Sequence, residues 1–178
     1  MNISSLRAVG VVAAATAVMF LSITACEEDR NSREYKIPET LCDVDVRPDK
    51  LAPFLPPGKE IKLNEEGDEN FRKVCSASVD GEVAFEVKRE WWEDGWSTRR
   101  FATVHAYVKP DHQTADEKYV YSEDSGLSVM RCAPKRDNQD LFIVVKSSEN
   151  TADEEAMLEF LIEYRRVLMK RTPCDEVK

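Results

Sequence analysis

The chain is short of the residues on which most catalytic signatures depend. Two histidines serve 178 residues. They stand seven apart in VHAYVKPDHQ, so a base–orienter pair or a metal site would have to borrow Asp111, Asp116 or Glu117 beside His112. Composition alone makes that stretch a solvated loop. The glycines number six, and Gly58, Gly67, Gly81, Gly95 and Gly126 each stand singly in turn-like settings, which excludes a phosphate-cradling loop. There is no G-x-S-x-G nucleophile elbow and no C-x₂-C or H-x₃-H spacing of a zinc site. On these grounds no catalytic residue, cofactor or metal ligand is assigned. Basic residues are outnumbered, with 25 Lys and Arg against 34 Asp and Glu and a net charge of −9. That excludes a general nucleic-acid surface, which needs clustered Lys and Arg. Arg99-Arg100 reads as a solvated strand edge, and Arg165-Arg166 with Lys170-Arg171 as a helix C-terminus.

What is present begins with an uncharged apolar run from Ala8 to Ala25, preceded by Arg7. A short basic start, an apolar core and small residues at its end are the layout of a secretory signal. Roughly 18 apolar residues also suffice to span a bilayer, so the end of the run decides. Ile23-Thr24-Ala25-Cys26 resembles a bacterial lipobox: an aliphatic residue, two small residues and an obligatory Cys. The resemblance implies that the Cys26 thiol receives a diacylglyceryl group and that residues 1–25 are a lipoprotein signal peptide removed just before it. Buried acyl chains contribute ~0.8 kcal/mol per CH₂, so two chains anchor firmly where one does not. The expected location is the cell membrane, lipid-anchored on its extracytoplasmic face. Residues 26–37 carry mostly polar side chains and read as a flexible linker, reaching on the order of 35 Å when extended. Residues 38–178 then form a single globular domain.

Five cysteines are an odd number for an exported protein. With Cys26 lipidated, Cys42, Cys75, Cys132 and Cys174 remain. Four thiols permit three connectivities, and sequence order with the element map favours Cys42–Cys75 and Cys132–Cys174. Each bridge would contribute roughly 3–4 kcal/mol in the chain-entropy picture.

The hydropathy pattern predicts an α+β fold, an antiparallel sheet of about five strands packed by a long C-terminal helix and a short N-terminal helix. Pro48 suits the first turn of the short helix, Asp49 to Leu55, with Leu51, Phe54 and Leu55 inward. NEEGDEN, 64 to 70, reads as an acidic loop. Val83, Phe85 and Val87 alternate with polar residues as a half-buried strand. Asp94-Gly95 marks a hairpin turn, which would set Val87 against Ala102, Phe85 against Val104 and Val83 against Ala106. Before that strand, a two-residue Asp80-Gly81 loop would oppose Phe85 to Ser76. A three-residue loop, Val79-Asp80-Gly81, pairs Phe85 with Cys75 and points Cys75 into the core. Further strands are expected at Leu127–Cys132 and Leu141–Lys146, with Tyr119–Tyr121 an edge strand. The continuous apolar LFIVV implies a central position covered on both faces. Thr151-x-x-Glu154 is a capping-box pattern. It opens a helix whose apolar stripe is Met157, Phe160, Leu161, Tyr164, Val167 and Leu168, widened by Leu158, Ile162 and Met169.

REWWEDGW places all three tryptophans within six residues. In the hairpin register Trp91 and Trp96 follow the core while Trp92 points outward, sharing an outer face with Phe101, His105 and Tyr107. An exposed Trp is a common anchor at recognition surfaces, so these four residues are the candidate binding surface. The competing reading is a second core.

ITAC, YKIPETLC, LAPFLPPGK, a second Cys leading a strand hairpin and a Cys-bounded strand–helix end together resemble the uncharacterised secreted lipoproteins of actinobacteria. Such families usually lack an assigned activity, so the resemblance implies location more than mechanism. The expectation is a non-catalytic extracytoplasmic domain binding an envelope protein, ligand or polymer. A cell-envelope hydrolase using His112, or an accessory subunit of a membrane complex, is the alternative.

Overall fold

Two sheets of different size organise the domain. In the computed structural model, which describes residues 33–132, 137–148 and 152–171, β1 (Thr40–Leu41) and β2 (Val44–Asp45) form a small hairpin. Helix α1 (Pro48–Leu51) follows, extended by a 3₁₀ turn at Ala52–Phe54. The main sheet is built from β3 (Ile61–Asp68), β4 (Arg72–Val79), β5 (Glu82–Glu93), β6 (His112–Gln113), β7 (Tyr119–Tyr121), β8 (Ser125–Met130) and β9 (Gln139–Ser147). Its order is β3-β4-β5-β9-β8-β7-β6, with every neighbouring pair antiparallel. The α+β class holds, and the sheet has seven strands rather than about five.

The extra strands lie at the edges. Asn64–Asp68, expected as a loop, pairs residue for residue with β4 as part of β3. This strand is solvated on both faces along most of its length, so it shows no hydrophobic alternation. Its Glu and Asp side chains also discourage a further strand from adding to the edge. Gly67 has φ +93°, and a Cβ there would lie 2.2 Å from the Arg72 carbonyl oxygen, so only glycine fits this turn-proximal position.

Between β4 and β5 the turn is two residues, not three. Asp80 and Gly81 both have positive φ, 51° and 93°, as a type I′ hairpin requires. The objection that such a loop opposes Phe85 to Ser76 is met by a β-bulge. The register shifts between Ala77 and Ser78, so Phe85 faces Ala77 and Val87 faces Cys75. One extra residue returns the apolar set to the core, and Ala84 and Phe85 are buried consecutively as a result.

The predicted hairpin at Asp94-Gly95 does not form. Gly95 turns the chain with φ +80°, but Thr98–Arg100 is helical (α2) and Phe101–His105 continues as a π-helical turn. β5 pairs instead with β9, Val87 opposite Val145 and Trp91 opposite Leu141. Two physical reasons stand out. The Ser97 hydroxyl accepts the Arg100 N–H at 3.1 Å, an N-cap that starts a helix. Thr98, Phe101, Ala102 and Ala106 recur at helical spacing and are all buried, whereas Val104 is 56% exposed. LFIVV, long and wholly apolar, is the better strand partner, and it is central and buried on both faces as expected.

One face of the sheet is covered by α3 (Glu154–Arg171) together with α1 and the β1–β2 hairpin. Met157, Phe160, Leu161, Tyr164 and Leu168 are buried, whereas Ile162 and Met169, expected to widen the stripe, are 43% and 47% exposed. The helix lies close enough that a Cβ on Gly126 would sit 2.5 Å from Leu161 Cδ1. Thr151 lies outside the described residues; the Asp153 carboxylate accepts the Ala156 N–H at 2.8 Å and caps the helix. At the centre Phe85 packs 4.9 Å from both Phe54 and Phe160, centroid to centroid.

Cys42 and Cys75 are joined, with Cα atoms 6.0 Å apart, as their positions in the sequence predicted. Cys132 is also disulfide-bonded; its expected partner Cys174 lies outside the described residues, as does Cys26. The described part of the expected linker packs on the domain. Arg33 bridges to Gly58, the Tyr35 hydroxyl donates to the Pro56 carbonyl, and Tyr35 and Ile37 pack against the core.

Candidate functional site

Alternation along β5 sends its two adjacent tryptophans to opposite faces. Trp91 enters the helix-side core, 2% exposed, and its indole N–H donates to the Glu69 carbonyl at 3.1 Å. Trp92 points to the other face. Because the chain after Gly95 becomes helical, Trp96 joins Trp92 there rather than following Trp91, contrary to the hairpin register. The ring centroids of Trp92 and Trp96 are 5.9 Å apart, and those of Trp92 and Phe101 6.0 Å.

Phe101 is the floor of this cluster. It is fully buried and stacks on Phe142 of β9 at 3.9 Å, nearly parallel. The helical segment from Thr98 to Ala106, with Val108, seals Leu127, Val129, Phe142 and Val144 into a second hydrophobic core. At its rim Arg100 lies over the Trp96 ring, 3.9 Å from the centroid, a cation–π contact. His105 lies over Trp92 at 3.9 Å. Of the four residues predicted to share a recognition face, Trp92, Phe101 and His105 meet, and Tyr107 stands apart, 83% exposed.

A residue not singled out in the sequence organises the charge here. Glu90 is 3% exposed. His105 Nε2 lies 3.1 Å from Glu90 Oε1, and Lys88 Nζ lies 2.9 Å from Glu90 Oε2. Burial alone would raise the Glu90 carboxyl, but the hydrogen-bonding partners Lys88 and His105 outweigh it and hold the group below its ordinary value. Glu90 is therefore a fixed negative charge that orients an imidazole. Its signal in the sequence was its parity with Trp92 on β5, visible once the strand is extended to Glu93.

His112 lies on β6, away from this cluster. Its Nε2 is 2.7 Å from Glu154 Oε2 in the first turn of α3, and its ring stacks 5.4 Å from Tyr121. One of the imagined partners, Asp116, is engaged elsewhere. The Asp116 carboxyl accepts the Thr114 hydroxyl at 2.7 Å and sits 3.0 Å from Lys118 Nζ; these contacts hold its pKa down at about 2. Neither imidazole has a hydroxyl or thiol hydrogen-bond partner among the described residues. No group of three His, Cys, Asp or Glu side chains suited to a metal occurs there either.

The second layer covers only half of its face. Beyond it, β3, β4 and the start of β5 are open to solvent, and a cleft of about 480 Å³ lies between Tyr107–Asp111, Ser122–Ser125 and Lys146–Ser147. Its wall is structured. The Ser122 and Ser125 hydroxyls donate to Asp124 at 2.7 and 2.8 Å and hold that carboxyl below its ordinary value.

Compared with known protein families, with curated proteins and with solved structures, the chain matches none of them. Function is therefore argued from the residues themselves.

Proposed function

We propose that the chain is a lipid-tethered extracytoplasmic domain that binds a partner or ligand rather than transforming it. One observation carries the reading: every cysteine among the described residues, Cys42, Cys75 and Cys132, is oxidised. Structural disulfides persist in exported proteins and are rare in the cytosol, which supports the secretory reading of residues 1–25. Setting Cys26 aside for lipid leaves Cys174 to pair with Cys132. No helix among the described residues is long and apolar enough to cross a membrane; in this reading the diacylglyceryl group on Cys26 supplies the attachment on the extracytoplasmic face. In this reading the described thiols are spent on bridges and both imidazoles face carboxylates.

Radiolabelled palmitate should enter the wild-type chain in a bacterial host and fail to enter Cys26→Ala; label retained by the variant overturns the lipid anchor. Digestion of the same preparation without reductant should release a peptide joining Cys132 to Cys174. For the binding role, a photo-crosslinking residue at position 83 on the open face should form adducts in intact cells. No adduct across several growth conditions, together with no ligand bound in vitro, overturns that role.

A further inference from the structure

Along the second face one polar residue from each of five adjacent strands stands in register, in a row that starts on the open half and ends at the buried Ser125. Asn64 of β3 is opposite Ser76 of β4, Ser76 opposite Glu86 of β5, Glu86 opposite Lys146 of β9, and Lys146 opposite Ser125 of β8. Directly opposed residues present their side chains on the same side of a sheet. Four inter-strand gaps of ~4.8 Å give the row a length of ~19 Å. Three concavities follow it. One of about 460 Å³ lies over Asn64, Ser76 and Glu86. A second, about 270 Å³, shares Val83 and Glu86 with the first and Lys146 and Ser147 with the Tyr107 cleft. The surface is thus a continuous track across the sheet.

We infer that this track is a binding site for a neutral oligosaccharide, with Tyr107 as the platform at its end. It rests on the binding half of the reading above and not on the lipid half. The chemistry of the track selects the ligand. Asn64 and Ser76 both donate and accept, Lys146 donates and Glu86 accepts, which matches a chain of hydroxyl groups. Within the row Glu86 stands directly beside Lys146, and a polyanion would also meet Glu66 and Asp124 on the way. The exposed large hydrophobic residues of the track are Val83, 50% exposed, and Tyr107, with Val74 half-buried in the first concavity, a set too small and too scattered for an amphipathic helix. An extended peptide would need free backbone groups, and across the face of the sheet the strands' own ladders take them.

Tyr107 is the most specific element. Its φ is +53°, a left-handed conformation that a bulky aromatic residue seldom adopts. The backbone is fixed there because the flanking Ala106 and Val108 are buried in the second core and their N–H groups donate to the Phe101 and Ala102 carbonyls at 2.9 and 2.8 Å. The ring is held out beside a polar cleft, where its face is free to receive the C–H bonds of a pyranose. An exposed aromatic next to clustered polar groups is a recognition arrangement rather than a folding one.

The test uses the full chain in detergent micelles, alongside Cys26→Ala. Chitotetraose, maltotetraose, cellotetraose and mannotetraose are titrated by calorimetry and by amide chemical shifts. At least one should bind, shifting signals of Ser76, Glu86, Lys146 and Tyr107. Glu86→Ala should weaken it roughly tenfold. Tyr107→Asn, a residue that tolerates the left-handed backbone, should melt at or above the parent temperature and still lose roughly tenfold in affinity. Absence of binding by all four sugars at millimolar concentration overturns the inference. So does binding that both variants leave unchanged. Crosslinking at position 83 to a protein in cells, with no sugar bound in vitro, would sink this inference while sparing the binding role; neither result would sink both.

Discussion

The two faces of the sheet are built from the same strands and treated differently. On the helix side α3, α1 and the β1–β2 hairpin bury a continuous apolar set around Phe54, Phe85 and Phe160, crosslinked at Cys42–Cys75. On the other side a short helical segment covers β7, β8 and β9, and a buried carboxylate marks its boundary. Parity along β5 expresses the division. Phe85, Val87 and Trp91 go one way, and Glu86, Lys88, Glu90 and Trp92 the other. The helix face holds the larger of the two hydrophobic cores, which leaves part of the other at liberty to keep polar groups exposed.

Substitutions on each side should separate these roles. Phe85→Ala, at the centre of the helix face, removes a fully buried ring and should cost about 3–5 kcal/mol in urea unfolding; a loss under ~1 kcal/mol would show that this face is not the main core. Glu90→Gln, at the boundary, should cost ~2 kcal/mol at neutral pH by weakening charged hydrogen bonds to Lys88 and His105. Because the folded Glu90 titrates below its ordinary value, its contribution is complete above about pH 5 and is lost as pH falls through the folded value. The variant's stability should accordingly be flatter than the parent's on the acid side, and an unchanged acid limb would remove Glu90 from the account. Ser76→Ala, in the polar row, should stay within ~0.5 kcal/mol. A larger loss would mean that the open half is structural too.

The helix face was legible because its signals were redundant. The apolar stripe of α3, the continuous LFIVV, Pro48 and the order of Cys42 and Cys75 all pointed to the same packing. The other face was not, because there the local signals were ambiguous. Ala102, Val104 and Ala106 satisfy a period of two, while Thr98, Phe101, Ala102 and Ala106 satisfy a period of 3.6. What decides between them is β9, whose claim on β5 is a long-range competition that no local window contains. The bulge at Ala77 and Ser78 was hidden for a similar reason. Turn length and core parity looked incompatible, and one unpaired residue reconciles them. The same ambiguity scattered the candidate site. Trp92, Phe101 and His105 do assemble, but on a helical scaffold that leaves Tyr107 at another edge, and Glu90 became visible only with β5 at full length.

The disulfide has a mechanical meaning. Residues 33–41 lie against the domain through Arg33, Tyr35 and the short hairpin, contacts that a steady pull from the N-terminal side would undo one after another. Unravelling stops at Cys42. From there the covalent bond hands the load to Cys75, in the middle of β4, a strand laced to β3 on one side and β5 on the other. Tension entering from that end therefore bypasses α1 and its connection to β3 and is spread over three strands at once. The domain is clamped at the point where a tether would tug it.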